Sequence, residues 1–488
     1  MNRSWLPALL VLLSAPAAAD VFVVTKTADT LDGACDADCS LREAVAAANA
    51  RPGLDFIRIR PGTYGLTRVG PPEGANLSGD LDVRDDLVIL GAGADRTVLD
   101  GSGIDRVLEG VLADADLEVR GVTVRNGRTD GPSSLQTSGG GIHAEGALTL
   151  VGCHVTGNRS DSFGGGAEAT VLIARDTTFS DNEAQVGGGI SSFFAVDLTN
   201  VTLSGNRALG MGGGAFLPFY SVDLDHVTIT GNRAQEGGGI RSNFDVNCPG
   251  LCEVHFAMEA SLIAGNTATE KGPDCWSLSA PAPGHIANLF GVADGCSPAG
   301  PDRAGVDPRL SPLGAHGGPT PTHALLAGSP AIDLSPSVTC SGADQRGLPR
   351  PADGDGNGLL GCDAGAVERS PGCQPDARTL CLGDGGRFQA TARWTTRDGS
   401  GEAQAFPLTG DTGAFWFFGA QNLELQIKVL DGCAVNDRFW VFASGLTDVG
   451  VEITVEDTRT GASWMYGHQR GTPFPTVTDT DAFRTCSD

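Results

Sequence analysis

VTLSGNRALGMGGG (residues 201–214) is spelled almost unchanged in three neighbouring places: VTGNRSDSFGGG (155–166), FSDNEAQVGGG (179–189) and VTITGNRAQEGGG (227–239). Glycine triplets begin at 139, 164, 187, 212 and 237, in steps of 25, 23, 25 and 25, and the asparagines Asn158, Asn182, Asn206 and Asn232 step by 24, 24 and 26. A fixed period of about two dozen residues with strand-like alternation inside it marks a solenoid. Counting back from each asparagine gives the register. Val155, Phe179, Leu203 and Ile229 stand three residues before it, Cys153, Thr177, Val201 and Val227 five before, and His154, Thr178, Thr202 and Thr228 lie between. Period-two alternation turns the first two sets inward and the third outward. A second strand precedes this one, with Leu148, Leu172, Val196 and Val222 inward. A third follows the glycines, with Ile142, Ala167, Ile190, Ala215 and Ile240 inward. Three short strands per turn, stacked in register, predict an all-β chain built on a right-handed parallel β-helix.

The punctuation fits the same reading. Asparagine tolerates the left-handed backbone of a sharp corner, and asparagines one coil apart can hydrogen-bond in a ladder. Glycine permits positive φ and close backbone approach at the next corner. A phosphate-cradling loop needs a single glycine-rich turn between a strand and a helix with a Lys or acidic partner. Five triplets in five coils are architecture instead.

The 488-residue chain carries a formal net charge of −26, with lysine only at Lys26, Lys271 and Lys428. That balance argues against nucleic acid, whose binding by counterion release needs a basic face. Arg3, the apolar run from Trp5 to Leu13 and the A-x-A site Ala17–Ala19 before Asp20 read as a signal peptide over 1–19. The run is far short of the ~20 residues of a membrane span, so a secreted or cell-surface protein, a monomer without a transmembrane segment, is expected. Thirteen cysteines in an exported chain read as disulfides plus one. Sequence neighbours pair Cys35 with Cys39, Cys248 with Cys252, Cys275 with Cys296, Cys340 with Cys362, Cys373 with Cys381, and Cys433 with Cys486. Cys153 remains, and its inward column makes it a buried free thiol.

CSLREAVAAAN (39–49) resembles the opening motif of the exported bacterial proteins named after the letters CSLREA. Physically, Ser40 and Glu43 form a capping box and Leu41, Ala44, Val45 and Ala48 one apolar face, so a short helix is expected to cap the solenoid's open end. DPRLSPLGAHGGPTPTHALLAGSPAID and DQRGLPRPADGDGNGLLGCDAGAVE, within 307–368, resemble the choice-of-anchor Q segment, which in that family follows β-helix repeats. The resemblance covers residues 20–370 and implies export and a pectin-lyase-like β-helix. Phe179-Ser-Asp-Asn182 and Gly-Gly-Gly-Ile are also similar, over a shorter span, to the FxxN and GGA[I/L/V] repeats of polymorphic outer membrane proteins. The expected organisation is a signal peptide (1–19), a β-helix with its N-terminal cap (20–300), the anchor-Q-like segment (301–370) and a module over 371–488. There RFQATARW, LELQIKVL, RFWVFASG and VGVEITVEDTRTGASWMY alternate at period two, as a small antiparallel β-sandwich would.

The β-helix is also the fold of pectate lyases and polygalacturonases, but fold alone does not assign chemistry. An Asn-Thr-Asp strand with a downstream paired Asp, a Gly-His-Gly and an Arg-x-Lys are missing, so no catalytic residue is assigned. The Thr/Ser column Thr156, Ser180, Ser204 and Thr230, beside Arg159, Glu183, Arg207 and Arg233, reads as a solvated sheet face. Phe194, Phe219 and Phe244 recur at one offset from the triplets, as an internal stack would. Phe193, Phe216 and Tyr220 are the candidates for a surface strip. DGDGNG (353–358) opens like a calcium loop, with Asp353, Asp355 and Asn357 as ligands and Asp363 or Glu368 in place of the missing bidentate residue. The reading is a non-catalytic adhesion or binding module for a polysaccharide or cell-surface protein. The alternatives are a polysaccharide lyase or glycoside hydrolase with unfamiliar residues, and a structural spacer.

Overall fold

The structure, a computed structural model, describes residues 19–71, 73–131, 137–217, 220–242, 255–276, 286–316, 318–326, 328–337, 340, 342–355, 357–369, 372–373, 375–383, 386–458 and 462–486. Most of the leader, as well as Cys248, Cys252, Phe219 and Phe244, lies outside these residues.

Consecutive coils stack as three parallel sheets. Sheet I holds long strands such as Ile142–Val151, Ala167–Arg175 and Ile190–Thr199. Sheet II holds His154–Thr156, Thr178–Ser180, Thr202–Ser204 and Thr228–Thr230. Sheet III holds Arg159–Ser160, Glu183–Val186, Arg207–Met211 and Arg233–Glu236. The expected register is kept residue for residue: Val155 faces Phe179, Phe179 faces Leu203 and Leu203 faces Ile229, all fully buried. Burying such side chains contributes about 1.5–3 kcal/mol each.

Two details differ from the sequence reading. In three coils the two strands expected after the glycines are one long bulged strand of sheet I, whereas in the next they stay separate as Ala215–Leu217 and Ser221–Asp225, and the third strand occupies the stretch between asparagine and glycine triplet. The asparagines, moreover, do not take the left-handed conformation. The residue before each does: Gly157, Asp181, Gly205, Gly231 and Gly265 have φ of 64°, 54°, 69°, 70° and 74°. With the corner made by its neighbour, each asparagine turns its side chain inward as the rung of a ladder. Asn158 donates from both its backbone N–H and Nδ2 to Oδ1 of Asn182 at 3.0 Å. Asn182 bonds Asn206 in the same way, Asn206 bonds Asn232, and Asn232 bonds Asn266. The second Nδ2 hydrogen bonds a carbonyl of the preceding coil, as from Asn206 to Phe179 at 3.0 Å.

The glycines make room for this ladder. The first of each triplet is left-handed, and a Cβ on the third would lie 2.9–3.1 Å from the ladder amide, as between Gly141 and Asn158 or Gly189 and Asn206.

The N-terminal end is closed by a helix, Leu41–Asn49, whose capping box forms as read: Glu43 N–H donates to Ser40 Oγ (3.1 Å) and Ser40 N–H to Glu43 Oε2 (2.7 Å). Burial pushes the Glu43 carboxyl up, but hydrogen bonds from the Ser40 N–H, the Thr30 hydroxyl and the Asp32 N–H outweigh it and hold it down at about 2. Arg42 lies fully buried on Asp29 and on the carbonyls of Gly79 and Asp80. At the other end, two antiparallel sheets enclose a separate core that includes Phe388, Phe415, Ile427, Val441 and Ile453. One sheet contains Phe388–Thr395 and Gly450–Asp457, and the other contains Leu425–Asp431 and Phe439–Gly445. This is the expected sandwich.

Five of the expected disulfides are formed: Cys35–Cys39, Cys275–Cys296, Cys340–Cys362, Cys373–Cys381 and Cys433–Cys486. Cys153 is free and buried, and burial pushes its thiol up to about 11, so it is an inert filler. Among the described residues, no helix is long and apolar enough to cross a membrane.

Asn206→Ala strands the Asn182 N–H and the Phe179 carbonyl in the core. It is expected to cost about 2–4 kcal/mol in chemical denaturation, whereas an unchanged midpoint would remove the ladder from the account. Glu43 is depressed from 4.5 to about 2, so its stabilisation is complete above pH ~4.5 and is lost as pH falls toward ~2. Melting temperatures of Glu43→Gln should therefore converge on wild type across that window as acid is added.

Candidate functional site

Sheet II's outward column is covered. The segment 307–368 folds back across it, burying Thr178, Thr202 and Thr228 and the neighbouring Ser180 and Ser204, which the sequence reading had left to solvent. Thr202 Oγ1 donates to Gln345 Oε1 at 2.6 Å, and Gln345 Nε2 donates to Thr178 Oγ1 at 2.7 Å and Thr320 Oγ1 at 3.0 Å. Ser204 Oγ bonds His323 Nε2 at 2.9 Å, and Ala366 N–H donates to Thr228 Oγ1 at 2.9 Å. Behind these contacts, Arg346 is paired with Asp344 and Arg350 with Glu368, each at 2.7 Å and buried. The anchor-Q-like motif is thus a clamp made of its own polar letters. The adjacent charged column does stay exposed, as Arg159 and Arg207 flank Glu183 at 3.0 and 2.8 Å.

The structure divides the expected calcium ligands. Asp353 and Asp355 converge with Asp333, their oxygens within 4.8 Å of one another. Asn357 instead spends its groups on the turn: its N–H donates to Asp353 and Asp355, its Nδ2 donates to Asp355, and its Oδ1 accepts from the Leu359 N–H. Asp363 is buried beside Gly354 of the loop, but both its oxygens are spent on backbone, accepting from the Asp333 and Arg369 N–H groups. Glu368 is held by Arg350. The residues placed to serve calcium here are therefore Asp333, Asp353 and Asp355.

Sheet I's outward face carries the repeat's irregularities. Ala169 pairs with Ser192 and Val171 with Ala195, so Thr170 opposes two residues, Phe193 and Phe194, in a β-bulge. More sequence falls at the same point along the stack: Leu217 pairs with Ser242 and Ser221 with His255, so the chain between the paired ends is longer in the second of these coils. Per-repeat insertions that fall on one face build that face's loops. Phe194 is 49% exposed and stacks on Tyr220, 44% exposed, with centroids 4.7 Å apart and planes at 28°. Phe193 is half-buried edge-on against Phe163 at 5.3 Å. Phe216 is only 7% exposed and stays in regular register opposite Ser191, with no bulge to lift it. The surface pair is therefore Phe194 and Tyr220, and Phe194 belongs to no internal stack. Downstream on the same face, Asp197 pairs in register with Asp223 and Asp225 with Glu259.

A further row escaped the sequence reading. Four residues after the start of each triplet stand His143, Glu168, Ser191, Phe216 and Arg241. The row extends back through Glu109 to Asp82 in unbroken register. His143 Nδ1 is bonded to Glu168 Oε2, both buried. That offset was countable from the glycines. What it could not give is that the row is covered.

Comparison of the chain with protein-family models, with curated proteins and with solved structures returned no match.

Gln345→Ala leaves the buried Thr202 hydroxyl without its acceptor and the Thr178 hydroxyl with the Pro321 carbonyl but without its donor. The expected effect is a loss of about 1–3 kcal/mol, with new cleavage inside 307–368 in limited proteolysis. A wild-type digestion pattern would show that the clamp does not depend on Gln345.

Proposed function

We propose that the chain is an exported, non-catalytic binding module that takes an uncharged polysaccharide on sheet I. The observation that carries this reading is the exposed Phe194–Tyr220 stack raised on a β-bulge. Contiguous exposed apolar surface rimmed by polar residues marks interaction sites. The carboxylates of Asp197, Asp223, Asp225 and Glu259 share that face, Asp197 beside Arg175 and Asp223 beside His255, and the chain charge of −26 disfavours a polyanion. A neutral sugar chain fits both features: its apolar ring faces cover the aromatics and its hydroxyls donate to the carboxylates. Export is supported by the leader-like start and by five disulfides, which persist in oxidising compartments. The resemblance to CSLREA-motif and choice-of-anchor Q proteins supports the same address. Against the hydrolase and lyase readings stands the burial of the His143–Glu168 pair, which keeps that row from a polymer substrate.

The test is a panel of neutral and acidic polysaccharides scored for retention and for released product, with wild type and the double variant Phe194→Ala/Tyr220→Ala. Retention of a neutral polymer, weakened tenfold or more in the double variant, is expected. Equal retention by the double variant would sink the proposed site. New reducing ends or unsaturated products would transfer the reading to an enzyme, and binding of surface proteins alone would transfer it to protein adhesion.

A further inference from the structure

The covered row of sheet I begins in an unbalanced charge cluster. Asp80 and Asp82 enter on the strand Leu81–Val83 and its approach, and Glu109 lies opposite Asp82 on Leu108–Gly110. One oxygen of each of the three carboxylates lies within 4.8 Å of the others. Arg106 serves two of them, with Nε 2.5 Å from Asp80 and Nη2 3.2 Å from Glu109. The other buried cation nearby, Arg42, is spent on Asp29 at 2.6 Å. Three carboxylates thus face one guanidinium, which leaves two negative charges in a place where Asp82 is 0% exposed and Asp80 3%.

The second observation is an oxygen with nothing to hold. Asp82 Oδ2 accepts from the Asn76 N–H at 2.6 Å, but Oδ1, fully buried, has no hydrogen-bond partner. A buried carboxylate oxygen left bare costs several kcal/mol, and here it belongs to the group that meets two other carboxylates.

We propose that Asp80, Asp82 and Glu109 bind a calcium ion. The donors are all hard oxygens, and oxygens sharing one ion at Ca–O distances of about 2.3–2.6 Å lie no more than ~5 Å apart. One divalent charge balances the cluster. Magnesium demands near-ideal octahedral geometry and keeps several waters, a shell that the buried Asp80 and Asp82 leave little space for. The ion joins two coils beside the capping helix, where Arg42 already holds the loop through the carbonyls of Gly79 and Asp80. It therefore fastens the end of the solenoid from which stacking starts.

The experiment uses the full chain, stripped with chelator and dialysed, with calcium uptake measured by elemental analysis and titration calorimetry and stability followed by melting. Wild type, Asp82→Asn, Glu109→Gln and Asp333→Asn are compared, the last neutralising one carboxylate of the separate group Asp333, Asp353 and Asp355. Glu109 is the most exposed of the three carboxylates, so Glu109→Gln keeps the test open if Asp82→Asn does not fold. Expected are a melting rise of several degrees in wild type with 1 mM calcium, the same rise in Asp333→Asn, and loss of one equivalent with the rise in Glu109→Gln and Asp82→Asn. No uptake by wild type would overturn the site, as would uptake that Asp333→Asn alone abolishes or that Glu109→Gln leaves intact.

Discussion

Neighbouring strands of one sheet lie about 4.8 Å apart, and in a parallel solenoid that spacing is imposed on every atom of every coil. The asparagine ladder turns this constraint into a bond. An amide placed inward at one corner can accept from the coil before it and donate to the coil after it only if the corner repeats at a fixed position. The third glycine of each triplet is the condition for this, since any Cβ there would collide with the amide. The ladder ends where the chemistry changes: Asn266 donates to Asp274, whose other oxygen accepts from the Val292 N–H, and a short second ladder runs from Asn288 to Asp302.

The three faces then take different fates. Sheet III keeps its Arg and Glu side chains in water. Sheet II is closed by the segment 307–368, whose glutamine, histidine and paired arginines match the Thr/Ser column that faces them. Sheet I keeps an exposed rim, and the insertions accumulate on it. A coil can lengthen at one point without disturbing the ladder provided that the extra residues bulge outward, and Phe193, Phe194 and Tyr220 are such residues.

How much of this the sequence displayed follows from the range of each interaction. The inward columns, the capping box at Ser40 and Glu43, the buried thiol at Cys153 and the short-range disulfides depend on local spacing, and all were readable. The left-handed residue before each asparagine was partly readable, since glycine stands there in three of the four aligned repeats and Asp181 in the fourth. Thr202 could not announce its burial, because its partner Gln345 lies 143 residues away. Phe216 keeps register opposite Ser191 while Phe194 sits in a bulge opposite Thr170, and a bulge is a relation between two coils. The loss of Asp363 as a ligand likewise came from tertiary packing, which spends its carboxylate on the backbone of Asp333 and Arg369.

If the ladder is the element on which the stack depends, its amides should open only when the whole β-helix does. Native-state hydrogen exchange measures this directly. The account predicts that the backbone N–H groups of Asn182, Asn206 and Asn232, each donating to the next asparagine's Oδ1, exchange at the slowest rates in the chain and share one opening free energy. Exchange of these amides as fast as that of exposed strand ends, or with unrelated opening free energies from coil to coil, would contradict it.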